Sequence, residues 1–405
     1  MYIIIYKDTL SPFWETSKKE DKQVSSENIG LNLRRLRLMR NLSQEELAQK
    51  IGITRTAYIR LENGTTQPRT STLQAIAKAL DVKPADLLQP PMELKAVRFR
   101  AKKKLKSRKQ VLFEVSDWLR KFNSLEACLD AKKPYILEEL AERLAREKPG
   151  AERAKMAARL ARERMGIEPG ESIRDLCGLL ETSGIKVYPI KIASNDFFGL
   201  SVAPQDGGPA IVVNVWERIS VERWIFSAVH ELGHLLLHLD SFDVELEEED
   251  PQEEKEANLF AANFLMPEEV FLKEWEEAKG LPLIDRVMKV KRIFKVSYRT
   301  VLYRLYESGH HEIWQQFAYE YRRQKGQALC GHEEPQALTA EAFSEWEPVA
   351  EREPYKLVEV DFKPDRLALL VRQAIENEQI TLSKGAEILG LTVDKMRILA
   401  NSWVN

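Results

Sequence analysis

The chain has 405 residues, 44% of them hydrophobic and 31% charged, with 61 Lys and Arg against 63 Asp and Glu for a net charge of -2. Single cores rarely grow past about 250 residues, so this length predicts two to three domains of a soluble globular protein. The opening MYIIIYKDTL is too short an apolar run for a membrane span and lacks a signal-peptide cleavage pattern, which predicts a cytoplasmic protein with no membrane contact. Cys128, Cys177 and Cys330 are far apart and form no CxxC pair, so neither a disulfide framework nor a thiolate metal site is expected.

Residues 1 to 27 turn polar after the first few positions and are predicted to be a disordered arm. From 28 to about 90, apolar residues at helical spacing are punctuated by Ser43, Gly52, Asn63-Gly64 and Pro68, which predicts an all-helical domain ending near Pro90-Pro91. Within it, SQEELAQKIGITRTAYIRLENG has the pattern of two helices around a tight turn. Ser43 and Glu46 make a capping box, Ala48 is small where the helices cross, Gly52 permits the turn and Ile59 is expected to pack inward. The stretch resembles the XRE (Cro/repressor-like) family, which implies a five-helix domain that binds double-stranded DNA. In such folds the second helix enters the major groove by its N-terminal end. Thr54, Arg55, Thr56 and Tyr58 are therefore the candidates for base contact, and Gln44, Arg60 and Arg69 for phosphate. One helix reads only a few base pairs, so a palindromic operator bound by a homodimer is expected.

Next comes KAVRFRAKKKLKSRK (95–109), with no acidic residue, either a solvated face or a phosphate-contacting linker. The region 91–169 is rich in Ala, Leu, Glu, Lys and Arg and is predicted to be a helical linker broken at Pro149-Gly150. PYILEELAERLARE places Leu137, Leu140 and Leu144 on one helix face. SIRDLCGLLETSG is a further helix ended by Gly184, and IKVYPI, FFGLSVA and PAIVVNVW are β-branched and aromatic runs that predict a small sheet.

After the sheet comes FSAVHELGHLLLH (226–238), with His230, His234 and His238 on an otherwise apolar helix and Glu231 beside the first. Two His at i and i+4 share a helix face and can converge on one ion, and burying such groups unpaired would cost several kcal/mol. HExxH is the metallopeptidase pattern, in which zinc polarises the scissile carbonyl and the glutamate takes and relays a proton. Glu231 is thus the candidate catalytic base, and His230 and His234 the candidate metal ligands. His238 lies two turns from His230, about 12 Å in rise, too far to share the ion. The third ligand is sought in EKEAN on the next helix, where the ExxA(N/D) spacing of glutamate-type zinc peptidases favours Glu254, with Glu253 and Glu256 as alternatives. Asn258, one turn on, is placed to hydrogen-bond a ligating histidine.

SAVHELGHLLLH followed by EKEANLFAANFLMP resembles the ImmA/IrrE family over roughly 170 to 309. That resemblance implies zinc and limited proteolysis of an XRE-type regulator; manganese is a further candidate metal. The expected fold class is mainly α with a small β-sheet: an N-terminal five-helix DNA-binding domain (28–90), the helical linker, an α+β zincin-like domain (170–309) and a helical C-terminal region (310–405). FKVSYRTVLYRLYESG and LGLTVDKMRILA repeat the turn and second helix of the first motif, so the chain is expected to end in a helix pair. The function expected is a repressor or antitoxin whose peptidase cleaves itself or a companion regulator, with a companion regulator or toxin as protein partner and single-stranded DNA as a candidate signal. The alternative is a repressor whose metal domain senses a ligand without proteolysis.

Overall fold

The computed structural model describes residues 26–40, 42–89, 93–101, 108–194, 196–246, 250–326, 328 and 357–403. Residues 1–25 of the arm expected over 1–27, the middle of the basic run at 102–107, residues 247–249 and Cys330 lie outside the described residues, whereas Ser26 and Glu27 already belong to a helix rather than to a disordered arm. The chain divides into two compact units, Met1–Met92 and Glu93–Asn405. Among the described residues no helix is long and apolar enough to cross a membrane.

The described residues of the first unit form five helices, α1 (Ser26–Met39), α2 (Gln44–Ile51), α3 (Arg55–Glu62), α4 (Thr70–Leu80) and α5 (Pro84–Leu88). Ser43 and Glu46 form the expected capping box on α2, and Gly52, at φ 72°, ends the helix in the left-handed region that a β-carbon disfavours. Thr54 then caps α3 through the amide of Ala57. The face of α3 that turns inward carries Tyr58, Leu61 and Glu62, whereas Ile59 is only half buried. The inward position is thus one residue earlier than the sequence suggested. Tyr58 meets Leu33, Leu47, Ile76 and Leu80 in the core, each fully buried, and such side chains contribute roughly 1.5–3 kcal/mol apiece.

Beside that core Arg37 makes a two-pronged ion pair with Glu62, Nε to Oε2 at 2.9 Å and Nη2 to Oε1 at 2.8 Å, and also donates to the Leu42 carbonyl. Gln44 donates to the same carboxylate at 3.2 Å. Removing one member of a buried pair strands the other, so Glu62→Ala should cost about 3–5 kcal/mol in chemical unfolding. Replacing both partners with apolar residues of like volume should cost far less.

In the second unit, β1 (Val97–Ala101) precedes α6 (Arg108–Cys128), α7 (Glu138–Leu144), α8 (Ala151–Arg164) and α9 (Leu176–Thr182). The sheet adds β2 (Lys186–Ile190), β3 (Phe197–Val202) and β4 (Ala210–Asn214) in the order β1-β3-β4-β2, with β2 parallel to β4 and the other pairs antiparallel. Then follow α10 (Val221–Leu237), α11 (Pro251–Leu265), α12 (Glu268–Glu277), α13 (Leu283–Phe294), α14 (Tyr298–Glu307) and α15 (Ile313–Lys325). The chain closes with α16 (Arg366–Glu376), α17 (Leu382–Leu389) and α18 (Val393–Ser402).

Strand side chains alternate between faces. Val187, Ile211 and Val213 join the core with α10, while Tyr188 turns to the opposite face, where Trp118 of α6 stacks on it at 4.6 Å. The segment expected to be a linker contributes Leu137, Leu144, Ala154, Ala157 and Ala161 to that same core, so α7 and α8 belong to the second unit's interior. Gly390 and Thr392 repeat, around the α17–α18 turn, the left-handed cap and threonine N-cap found between α2 and α3. Arg366 anchors this end of the chain by donating to Glu126 of α6 and to the Ala131 carbonyl.

Candidate metal centre and DNA-reading helix

α10 starts at the Ser220 N-cap, whose hydroxyl accepts from Arg223, and runs through the HExxH stretch with every residue from Ser227 to Leu237 buried. α11 starts at the Asp250 cap with Pro251 in its first turn. The two helices touch at Gly233, where an added β-carbon would lie 3.0 Å from the Phe260 ring and 3.4 Å from the Ala257 backbone. That close approach brings Glu254 to the histidines.

His230 Nε2 lies 2.9 Å from His234 Nε2, and Glu254 places Oε1 3.1 Å from His234 Nε2 and Oε2 3.3 Å from His230 Nε2. Asn258 Oδ1 faces His230 Nδ1 at 3.0 Å. A carbonyl oxygen only accepts, so His230 carries its proton on Nδ1 and turns a lone pair toward Glu254.

His234 is oriented by a longer relay. Its Nδ1 meets His238 Nδ1 at 2.9 Å, and His238 Nε2 donates to Glu256 at 3.1 Å. Arg153 grips Glu256 through Nε and Nη2, both at 2.6 Å, and the Gly150 amide donates at 3.0 Å. Burial works to raise the Glu256 carboxyl, but Arg153, His238 and that amide outweigh it and hold its pKa at about 2. The carboxylate accepts from His238, His238 accepts from His234, and His234 Nε2 is left bare toward His230.

Two lone pairs and a carboxylate therefore converge, and groups so arranged repel unless a cation sits among them. Ligand atoms on a tetrahedral zinc, with bonds of about 2.0–2.1 Å, stand roughly 3.3 Å apart, close to the separations found. Burial holds the pKa of His234 well below the usual histidine range, so the ring is neutral. Burial tends to raise the Glu254 carboxyl, but its closeness to His230 and His234 prevails and keeps it a carboxylate. The residues present thus fit a zinc ion in donor type, protonation and spacing, and His230, His234 and Glu254 are the one group of this kind among the described residues.

The other carboxylates considered from the sequence are engaged elsewhere. Glu256 serves His238, and Glu253 accepts from Arg98 and from Ser241 Oγ at 2.6 Å. Glu231 is fully buried, and its Oε2 accepts from Ser201 of β3 at 2.8 Å. Arg98, Arg153 and Ser201 were not found by reading the sequence, because they reach the centre from 30 to 156 positions away with no motif of their own.

On the first unit, Thr54, Arg55, Thr56 and Arg60 are exposed around α3 and its cap, and Arg69 is exposed before α4. Gln44 is half buried and bonded to Glu62. Tyr58 corrects the expectation of base contact: its side chain has 0% exposure and lies inside the core, since α3 turns that position inward.

Residues 33–87 match the helix-turn-helix family and residues 180–306 match the IrrE N-terminal-like domain. The chain is 35% identical over 121 residues to YqaE of Bacillus subtilis (strain 168), an uncharacterized HTH-type transcriptional regulator, covering 29% of this chain and 97% of that one. It is 39% identical over 56 residues to the cryptic phage CTXphi transcriptional repressor RstR of Vibrio cholerae, covering 14% of this chain and 50% of that repressor. Among solved structures, Bacillus thuringiensis PlcR in complex with the peptide PapR7 and DNA aligns with 94% of this chain and 99% of that one, at 13% identity and a TM-score of 0.16, too loose to bear on fold or function. The chain belongs to the XRE-type helix-turn-helix transcriptional regulators and carries, downstream of its DNA-binding unit, an IrrE N-terminal-like domain.

Proposed function

We propose that this DNA-binding regulator is also a zinc-dependent endopeptidase that cleaves itself or a companion regulator. The observation that carries the reading is the convergence of His230 Nε2, His234 Nε2 and Glu254 with Glu231 on the adjacent helix position. A bound zinc ion would lower the pKa of water and polarise a peptide carbonyl. His230, His234 and Glu254 would hold it, and manganese is a second candidate. Glu231 would take the proton from the attacking water and pass it to the leaving amine, with Ser201 fixing its carboxylate. Asn258 and His238 set the two imidazoles with their bare nitrogens inward.

On the DNA side, Thr54, Arg55 and Thr56 are proposed to read base edges, with Gln44, Arg60 and Arg69 on phosphates and two copies on a palindrome. Single-stranded DNA is a candidate signal for cleavage. A second reading has one observation in its favour: His230, Glu231 and His234 are wholly buried, as suits a metal-holding sensor that processes no chain.

The test is to incubate the purified protein with zinc or manganese, with and without single-stranded DNA, together with the products of neighbouring genes. Cleavage of the chain or of one such product supports the peptidase, and no cleavage under any condition supports the sensor. In either case elemental analysis should find about one zinc per chain. His238→Ala should weaken zinc affinity about 10–100-fold in competition with a chelator, because His234 loses the group that orients it.

A further inference from the structure

An extended segment upstream of the IrrE-like domain is bound along the edge of that domain's sheet, beside the metal centre. β1 lies outside residues 180–306 and pairs antiparallel with β3, Val97 opposite Val202, Arg98 opposite Ser201 and Phe99 opposite Leu200. Directly opposite side chains share a face of the sheet. Ser201 donates to Glu231, and Arg98 donates to Glu253 and, at 3.4 Å, to Glu254. Phe99 stacks on Phe197 at 5.0 Å, with the Arg108 guanidinium 5.1 Å from its ring.

The N-terminal end of the segment is tied, and the start of α6 is held to the same 244–246 stretch. The Asp206 carboxylate accepts from the amides of Lys95 and Ala96, and the Lys95 carbonyl accepts from Val244 at 2.7 Å. Arg108 donates to the carbonyls of Val244 and Leu246 at 2.7 and 2.8 Å. These are the contacts of a bound peptide: backbone pairing along an edge, one stacked ring and one cationic side chain in an acidic seat. In the order β1-β3-β4-β2, β3 becomes the edge strand when β1 leaves, and such an edge is an ordinary receptor for an extended peptide. With β1 in place, His230, Glu231 and His234 have 0% exposure.

We propose that the outer edge of β3 is the cleft for an extended substrate peptide with a basic side chain opposite Ser201, and that β1 occupies this cleft in cis with Arg98 in the basic position. The centre then opens only when β1 is released. This rests on reading the centre as a peptide-processing site, yet peptide binding can be measured without cleavage.

In the full chain, Val97→Cys with Val202→Cys permits a cross-link between directly opposite residues that holds β1 in place. A fluorescein-labelled KAVRFRA peptide, the sequence of residues 95–101, is titrated onto the oxidised chain, the reduced chain and Phe99→Gly, with anisotropy as the readout. Apparent affinity scales with the fraction of chains whose edge is open, so reduced protein should bind about tenfold or more tightly than oxidised, and Phe99→Gly more tightly still. A peptide with Ala at the position of Arg98 should bind at least about fivefold more weakly. In the unaltered chain, excess peptide should speed amide exchange at residues 97–101. Equal affinity of oxidised and reduced protein, indifference to loss of the Arg, or unchanged amide protection overturns the proposal. A pure sensor leaves every expected outcome intact and fails only the cleavage assay.

Discussion

Glu231→Gln is expected to abolish cleavage while leaving zinc bound. The carboxylate is not among the three groups that converge through His230, His234 and Glu254, so the ion's seat survives the exchange. The amide is nearly isosteric and keeps an oxygen that can accept from Ser201, so packing and the hydrogen bond at 2.8 Å are retained. What is lost is the capacity to take a proton, a contribution of about 10²–10⁴ in rate. Single-turnover cleavage beside zinc content by elemental analysis checks this: lost rate with full metal supports the base. An unchanged rate removes Glu231 from the chemistry, and loss of both rate and metal shows that it holds the site together instead.

The fold was legible where its signals are local. Ser43 with Glu46, Gly52 and Thr54 each act within one turn, and the strands carry β-branched and aromatic residues between turn signals, so the helix-turn-helix and β2, β3 and β4 could be read directly. Burial phase on a short helix is less legible. In α3, Tyr58 and Ile59 are adjacent and both largely apolar, and only the packing against α1 and α2 decides which turns inward. β1 was hidden for a related reason. VRFRA alternates, but it sits in a run so basic that charge masks the pattern, and its strand partner lies about a hundred residues downstream. At the candidate metal centre HExxH and the glutamate helix are spacing patterns, whereas the Arg153–Glu256–His238 relay exists only once α8 packs on α11. Arg153 looks in the sequence like any arginine of an Ala-rich helix.

Arg55→Ala with Thr56→Ala is expected to remove specific operator binding and leave a folded protein. Both residues are exposed at the start of α3, outside the core formed by Tyr58, Leu61 and Ile76, so circular dichroism and thermal unfolding should be nearly unchanged. Arg55 contacts Glu45 at 3.8 Å with both side chains more than half exposed, a pairing weak enough to be exchanged for DNA. A bidentate contact to a base edge discriminates by about 1–3 kcal/mol, so losing Arg55 together with Thr56 should bring operator affinity close to that for unrelated DNA in gel retardation. Arg60→Ala should behave differently: a phosphate contact weakens binding evenly across sequences and lowers the slope of log affinity against log salt by about 1. Tyr58 provides the control. Tyr58→Phe keeps the buried ring, so it should alter neither the salt slope nor the preferred sequence, and a change in the preferred base would put the outward face of α3 elsewhere.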